Sequence, residues 1–210
     1  MHDETKKLER FSDDLAHEFG NKLFEIQSSI DLARAKGDPA SGLDRIERQV
    51  RELSGMTRSL LQLSRSEYMK AECVLNDLAT VVESLDAVDN PRVSVDIRAR
   101  PMACIHPELF TIAVSNLVSN ALKYSDPETG RVVITVDKRL LTVADNGIGI
   151  PAKDLPKVWD RFYKVDDART YASGHGLGLS IVRVIVEEVH GMRIRMESEV
   201  GRGTTVTIEW

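Results

Sequence analysis

The sequence predicts an α+β chain, an N-terminal helical hairpin followed by a two-layer domain in which helices cover one face of a sheet. Three observations carry that reading. Up to about residue 70, apolar residues recur at steps of three and four, and Pro39 is the only proline. Beyond that point, short stretches of period-two alternation interleave with helical ones. The chain has 210 residues, 42% of them hydrophobic, and a chain of that size buries roughly 70% of its unfolded surface. The expected domains are residues 1–68 and 71–210.

Each element follows from its pattern. Leu8, Phe11, Leu15, Phe19, Leu23, Ile26, Ile30 and Ala33 form one helical stripe. The run from Gly37 to Gly42 supplies turn chemistry. Leu43, Ile46, Val50, Leu53, Thr57, Leu60 and Ser64 then form a heptad seam. Such a hairpin cannot bury its stripes alone; a two-fold four-helix bundle with a second copy is the simplest remedy, and docking on its own C-terminal domain is the plainer alternative. In the second part a helix is expected over Leu75–Leu85 and a strand through Val93, Val95 and Ile97. A helix opened by Pro107 and Glu108 runs to about Tyr124. Strands follow at Val132–Val136 and Leu141–Val143, then a helix over Leu177–Val189 that stops at His190-Gly191. Strands at Met192–Met196 and Thr205–Ile208 complete a sheet that is antiparallel or mixed.

Composition narrows the function. Lys and Arg total 28 against 33 Asp and Glu, a net charge of −5 without a basic block, which argues against nucleic-acid binding. No apolar run approaches the roughly 18 residues of a membrane span, and the charged stretch Met1–Arg10 does not read as a signal peptide. Cys73 and Cys104 read as buried thiols of a reducing compartment. A cytosolic polypeptide is the expectation.

Four segments carry chemistry. Asp145-Asn146-Gly147-Ile148-Gly149 follows a strand; its carboxylate suits an exocyclic amine such as that of adenine, and the glycines let a flat ligand approach the backbone. The same letters also fit an ordinary Asp-Asn-Gly turn. Gly174-His175-Gly176-Leu177-Gly178 opens a helix and exposes successive N–H groups, an anion site suited to polyphosphate. Asn116, Asn120 and Lys123 share one helix face, where amide oxygens suit Mg²⁺ and the ammonium suits phosphate. They also fit the polar face of an amphipathic helix. His17 lies about 200° around its helix from both Leu15 and Phe19, off the core stripe, with Glu18 beside it to take its proton and Asn21 one turn beyond Glu18. A solvated surface histidine is the plainer reading of that position.

Taken in order, His17-Glu18-x-x-Asn21, Asn116-x-x-x-Asn120-Ala-x-Lys123-Tyr124, Asp145-x-Gly147-x-Gly149, Phe162-Tyr163-Lys164 and Gly174-x-Gly176-x-Gly178 resemble a bacterial two-component sensor histidine kinase over essentially the whole chain. The resemblance implies a dimerisation and histidine-phosphotransfer hairpin, then a catalytic domain with the Bergerat ATP fold. It implies His17 as phosphoacceptor, Glu18 as its acid/base partner and Asn21 as the residue that positions water. Asn120, supported by Asn116, would hold Mg²⁺, while Lys123 would meet phosphate and Tyr124 the nucleotide. Asp145 would bind the adenine amino group, in a pocket shaped by Gly147, Gly149 and Thr204. Gly174, Gly176, Leu177 and Gly178 would form the phosphate loop. Residues 151–173 would be a lid with Trp159 and Phe162 as an aromatic box and Lys164 at the terminal phosphate.

The resemblance further implies ATP and Mg²⁺ as cofactors, a homodimer through the hairpin, and a response regulator whose receiver aspartate takes the phosphoryl group. It also implies a phosphatase activity toward that regulator, and a place as the cytoplasmic part of a longer protein anchored in the inner membrane. This chain departs from the family where Gly20 replaces a basic residue and Lys22 a proline. Losing proline restores a backbone hydrogen bond and straightens the helix. Two other readings stand beside this one: an ATPase switch of the same superfamily, and a dimeric scaffold without catalysis.

Overall fold

The computed structural model describes residues 19–35, 42–47, 49–50, 53–55, 57, 73–165 and 176–210. The chain divides into two compact units, Met1–Arg58 and Ser59–Trp210. The boundary expected at residues 68–71 falls outside the described residues. In the first unit residues 19–35 form helix α1, and the described positions from 42 to 57 are helical and are labelled α2. Ile26, Ile30 and Ala33 are half-buried on the expected stripe. Gly42 is buried, and a Cβ there would collide with that of Ala33, so α1 and α2 approach closely at that point. Leu23 and Phe24 are 56% and 72% exposed.

The second unit runs β1 (Val74–Asp77), α3 (Leu78–Glu83), β2 (Val93–Ile97), β3 (Met102–Ile105), α4 (Pro107–Lys123), β4 (Val132–Val136), β5 (Leu140–Asp145), α5 (Gly178–Arg183), β6 (Arg193–Glu199) and β7 (Gly203–Glu209). Five strands form a mixed sheet in the order β2-β4-β5-β7-β6, with β2 and β4 parallel and the other pairs antiparallel. The parallel pair needs a crossover, and α4 lies within it. Val143 pairs with Val206, and Val206 with Met196. Period two therefore sets Asp145, Thr204 and Ser198 on the same sheet face as those residues. That face meets the helices: Val132, Ile134, Val136, Leu141 and Ile208 are buried with Phe110, Val114, Val118, Ile181 and Ile185.

Helix α4 is the central support. Pro107 takes the first helical position, where its missing N–H costs nothing. The preceding His106 is the N-cap, its Nδ1 accepting from Leu109 N at 3.5 Å. Leu109, Phe110, Ala113, Val114, Leu117, Val118 and Ala121 are buried at helical spacing, a face worth about 1.5–3 kcal/mol for each large side chain taken out of water. The last turn is closed from outside, as the Arg92 guanidinium donates to the carbonyls of Asp126 at 2.9 Å and Leu122 at 3.4 Å.

Two expectations are corrected. The helix expected over 75–85 is a strand for its first part: Val74–Asp77 pairs antiparallel with β3, itself unforeseen, and Asp77 caps the helix that begins at Leu78. Cys73 and Cys104 are not buried thiols but exposed residues joined as a disulfide, with Cα atoms 5.4 Å apart. The register sets Leu75 opposite Cys104, so alternation brings Cys73 to the same outward face. The expectation of a reducing compartment, drawn from free thiols, loses its basis. His190 follows the helix end as expected. Its Nε2 accepts from His106 N at 2.9 Å and its Nδ1 donates to Ile185 O at 2.7 Å, which fixes a neutral tautomer. Between α5 and His190, Val184–Val189 forms a π-helical turn.

Candidate functional site

A cavity of about 470 Å³ opens between α4, the end of β5, the segment after it and the start of α5. Asn116, Asn120, Lys123 and Tyr124 line it from α4, Asp145 and Gly149 from the β5 end, Lys164 from the segment beyond, Gly176, Leu177 and Gly178 from the entry to α5, and Thr204 from β7. Val143, Ile148, Val158, Met196 and Val206 supply apolar wall. Gly147 is not among the lining residues. Gly174 lies outside the described residues, as do His17 and Glu18. Asn21 is exposed in the first turn of α1, in the other unit.

Asp145 is held at the strand end by its neighbour. Asn146 Oδ1 accepts from Arg131 N at 2.6 Å and its Nδ2 donates to Thr129 O at 3.3 Å, so the end of β5 is pinned to the approach to β4. Asp145 Oδ1 accepts from Gly147 N at 2.8 Å and Thr204 N at 3.2 Å, which leaves Oδ2 without a backbone donor. Burial pushes this carboxyl above its usual range, and the two N–H groups offset part of that. It is a desolvated acceptor, the state that a donor on a ligand would relieve.

Two glycines let the chain close around Asp145. Gly203 has φ 110°, and a Cβ there would strike the Asp145 carbonyl; Gly149 has φ 69°, and a Cβ there would strike the carbonyl of Glu199. A second cluster joins α4 to α5. A Cβ on Gly178 would sit 3.4 Å from Asn116 Oδ1 and 3.6 Å from Asn120 Nδ2, so the glycine leaves both amides open to the cavity. Asn116 donates Nδ2 to Ile112 O at 3.0 Å, which turns its Oδ1 outward as an acceptor. Amide oxygens with a lysine beside them are a donor set for a hard cation bound to phosphate. Lys123 Nζ also stands 4.8 Å from the centre of the Tyr124 ring, whose hydroxyl is pushed up by burial.

The sequence model described as "Histidine kinase-, DNA gyrase B-, and HSP90-like ATPase" matches residues 106–210. The chain belongs to this ATPase family. Relatives of this ATPase-family chain are sensor kinases by name. Sensor histidine kinase WalK of Bacillus subtilis (strain 168) is 35% identical over 178 residues, 77% of this chain and 28% of WalK. Sensor protein IrlS of Burkholderia pseudomallei (strain K96243) is 32% identical over 220 residues, 97% of this chain and 47% of IrlS. Histidine kinase ThkA, solved in complex with response regulator protein TrrA, shares the fold at a TM-score of 0.71 and 20% identity, over 99% of this chain and 63% of that one. The chain spans about half or less of the length of such curated relatives.

Within the ATPase-family domain, two features were missed from sequence. The buried carboxylate of Asp154 accepts from the Tyr163 hydroxyl at 2.8 Å, which ties together the segment that carries Lys164. Phe162 in that segment has φ 63°, unusual for a bulky residue, and its N–H donates to Gly176 O at 2.9 Å. The other is Ser198, behind Thr204. Ser198 has no motif, and although Tyr163 lies in one, its bond to Asp154 depends on which turns lie together.

Proposed function

We propose that this chain is the catalytic portion of a protein-histidine kinase that uses ATP to phosphorylate His17 and then passes the phosphoryl group to an aspartate of a response regulator. One observation carries the reading: Asp145, Thr204, Asn120 and Lys123 line a single cavity, in a chain whose sequence carries a His-Glu pair at positions 17 and 18. The adenine amino group donates to Asp145, and the phosphates run toward Lys123, Lys164 and the N–H groups at Gly176–Gly178. Asn120, with Asn116 beside it, fits Mg²⁺, which when bound neutralises phosphate charge.

A ring nitrogen of His17 attacks the γ-phosphorus. The new bond is P–N, the bond broken is that to the β–γ bridging oxygen, and ADP leaves. Glu18 takes the proton from the other ring nitrogen. Positioning and charge neutralisation do most of the work in such transfers. In the reverse role, Glu18 and Asn21 direct water at the regulator's phospho-aspartate. The exposure of Leu23, Phe24, Leu43 and Val50 supports a hairpin that pairs with a second copy. No helix among the described residues is long and apolar enough to cross a membrane. The greater length of the relatives supports a place as the cytoplasmic part of an anchored sensor.

The test is incubation with γ-labelled ATP and Mg²⁺ beside a His17→Gln variant. The expected label is acid-labile, alkali-stable and absent from the variant, which still binds ATP. Phosphate release without a phosphoprotein would identify an ATPase switch instead, and ATP bound with neither product would identify a scaffold.

A further inference from the structure

Behind Thr204 stands a serine that is not among the residues lining the cavity. Ser198, on β6, is directly opposite Thr204 on β7. Its hydroxyl has three partners: Ile150 N at 2.8 Å, Gly203 O at 2.9 Å and Thr204 Oγ1 at 2.8 Å. A serine hydroxyl owns one proton and two lone pairs. The Ile150 amide can only donate, so it occupies one lone pair. The Gly203 carbonyl can only accept, so it takes the proton. The remaining lone pair leaves a single role for Thr204, which must donate its own proton to Ser198.

Thr204 thus presents only lone pairs to the cavity. Beside it, Asp145 Oδ1 is taken up by two backbone N–H groups and its Oδ2 is the oxygen left for a ligand. Two acceptors side by side favour a base edge that donates and disfavour one that accepts. We infer that Ser198 is a specificity-positioning residue: by fixing the Thr204 proton it makes the site select 6-amino over 6-oxo purine nucleotides. An adenine amine donates into this pair, whereas the 6-carbonyl of hypoxanthine or guanine faces acceptors at the same position, and its N1–H reaches them only if the base shifts, so the 6-oxo base binds less well. The inference rests on the nucleotide reading above. Ser198 acts through Thr204, and without it the Thr204 proton is free to turn into the cavity and donate to a 6-oxo group.

The experiment measures dissociation constants of Mg·ATP and Mg·ITP on the full chain, wild type beside Ser198→Ala, Thr204→Val and the double variant. The wild type is expected to prefer ATP. Ser198→Ala should lower that preference roughly 3- to 10-fold, the worth of one hydrogen bond. The double variant should add nothing to Thr204→Val, because the serine has no other route to the base. Equal weakening of both nucleotides in Ser198→Ala, with the preference unchanged, would overturn the inference and leave Ser198 a fold residue. Should Ser198→Ala melt too early to assay, Thr204→Val carries the test, and an unchanged preference there overturns it equally. A wild type that binds both nucleotides alike overturns this inference alone; one that binds neither overturns the nucleotide reading as well.

Discussion

Asp145 works against the fold that holds it. Its carboxyl is raised by burial, so the native state binds protons more tightly than the unfolded chain does. The sign follows: the cost of its charge grows as pH rises from the ordinary value of 3.8 through the raised one, and is complete above it. Asp145→Asn keeps the oxygen that accepts from Gly147 and Thr204 but replaces the other with a donor. The variant should melt at a higher temperature than the wild type without nucleotide, and should lose about tenfold or more in ATP affinity. Thermal unfolding and a binding titration check both halves. His190 shows the opposite sign. Burial, and to a lesser extent the nearby His106, lowers its value below 6.5, while the bond to Ile185 opposes this. Stability from the neutral ring is therefore complete above 6.5 and is lost as pH falls below it. Between pH 7 and 5 the melting temperature of the wild type should drop further than that of His190→Gln.

At the scale of elements, the hairpin of β6 and β7 closes on the end of β5 through glycine. Gly201 and Gly203 both have positive φ, but a Cβ at Gly201 meets nothing within 4 Å whereas one at Gly203 strikes the Asp145 backbone. Gly201→Ala should cost only the backbone strain, about 1–2 kcal/mol. Gly203→Ala should cost more and weaken nucleotide binding too, as denaturant unfolding and titration would show. Elements with a clear period were legible in sequence: α4 through its apolar spacing and Pro107, and β2, β4 and β5 through alternation. The ribbon of β1 and β3 was not. Its strands have four residues each, Val74 and Leu75 are 53% and 66% exposed, and the partner is some thirty residues away. Reading β1 as helix also hid the cysteine pair. That bond closes a loop with a sequence separation of 31, for which chain entropy gives ~3–4 kcal/mol. Cys104→Ser, or a strong reductant, should lower the melting temperature of the second unit accordingly.

For the whole molecule, two compact units imply two unfolding events. Calorimetry of the full chain should resolve them, and Mg·ATP at 100 times its Kd should stabilise the second unit by about 2.7 kcal/mol while leaving the first unmoved. Of the residues that line one cavity, Asp145 and Gly149 were legible as a strand end, Asn116, Asn120 and Lys123 as one helix face, and Gly176 and Gly178 as a helix start, while Thr204 and Lys164 came from the family resemblance alone. Ser198 was not legible, since its significance depends on lying opposite Thr204, which only the pairing of β6 with β7 establishes.

The order of the sheet has a consequence for synthesis. The last of the sheet's strands in sequence, β7, is an inner one, flanked by β5 and β6, and β6 has no other neighbour in the sheet among the described residues. On a ribosome adding about 5–20 residues per second, β2, β4, β5 and the helices are complete while the cavity still lacks Thr204 and β6 has nothing to pair with. The apolar faces of Val143 and Met196 stay open to solvent until residues 203–209 emerge. The nucleotide cavity is therefore the last part of the second unit to come into being, and a nascent chain should acquire ATP binding only on release of that strand.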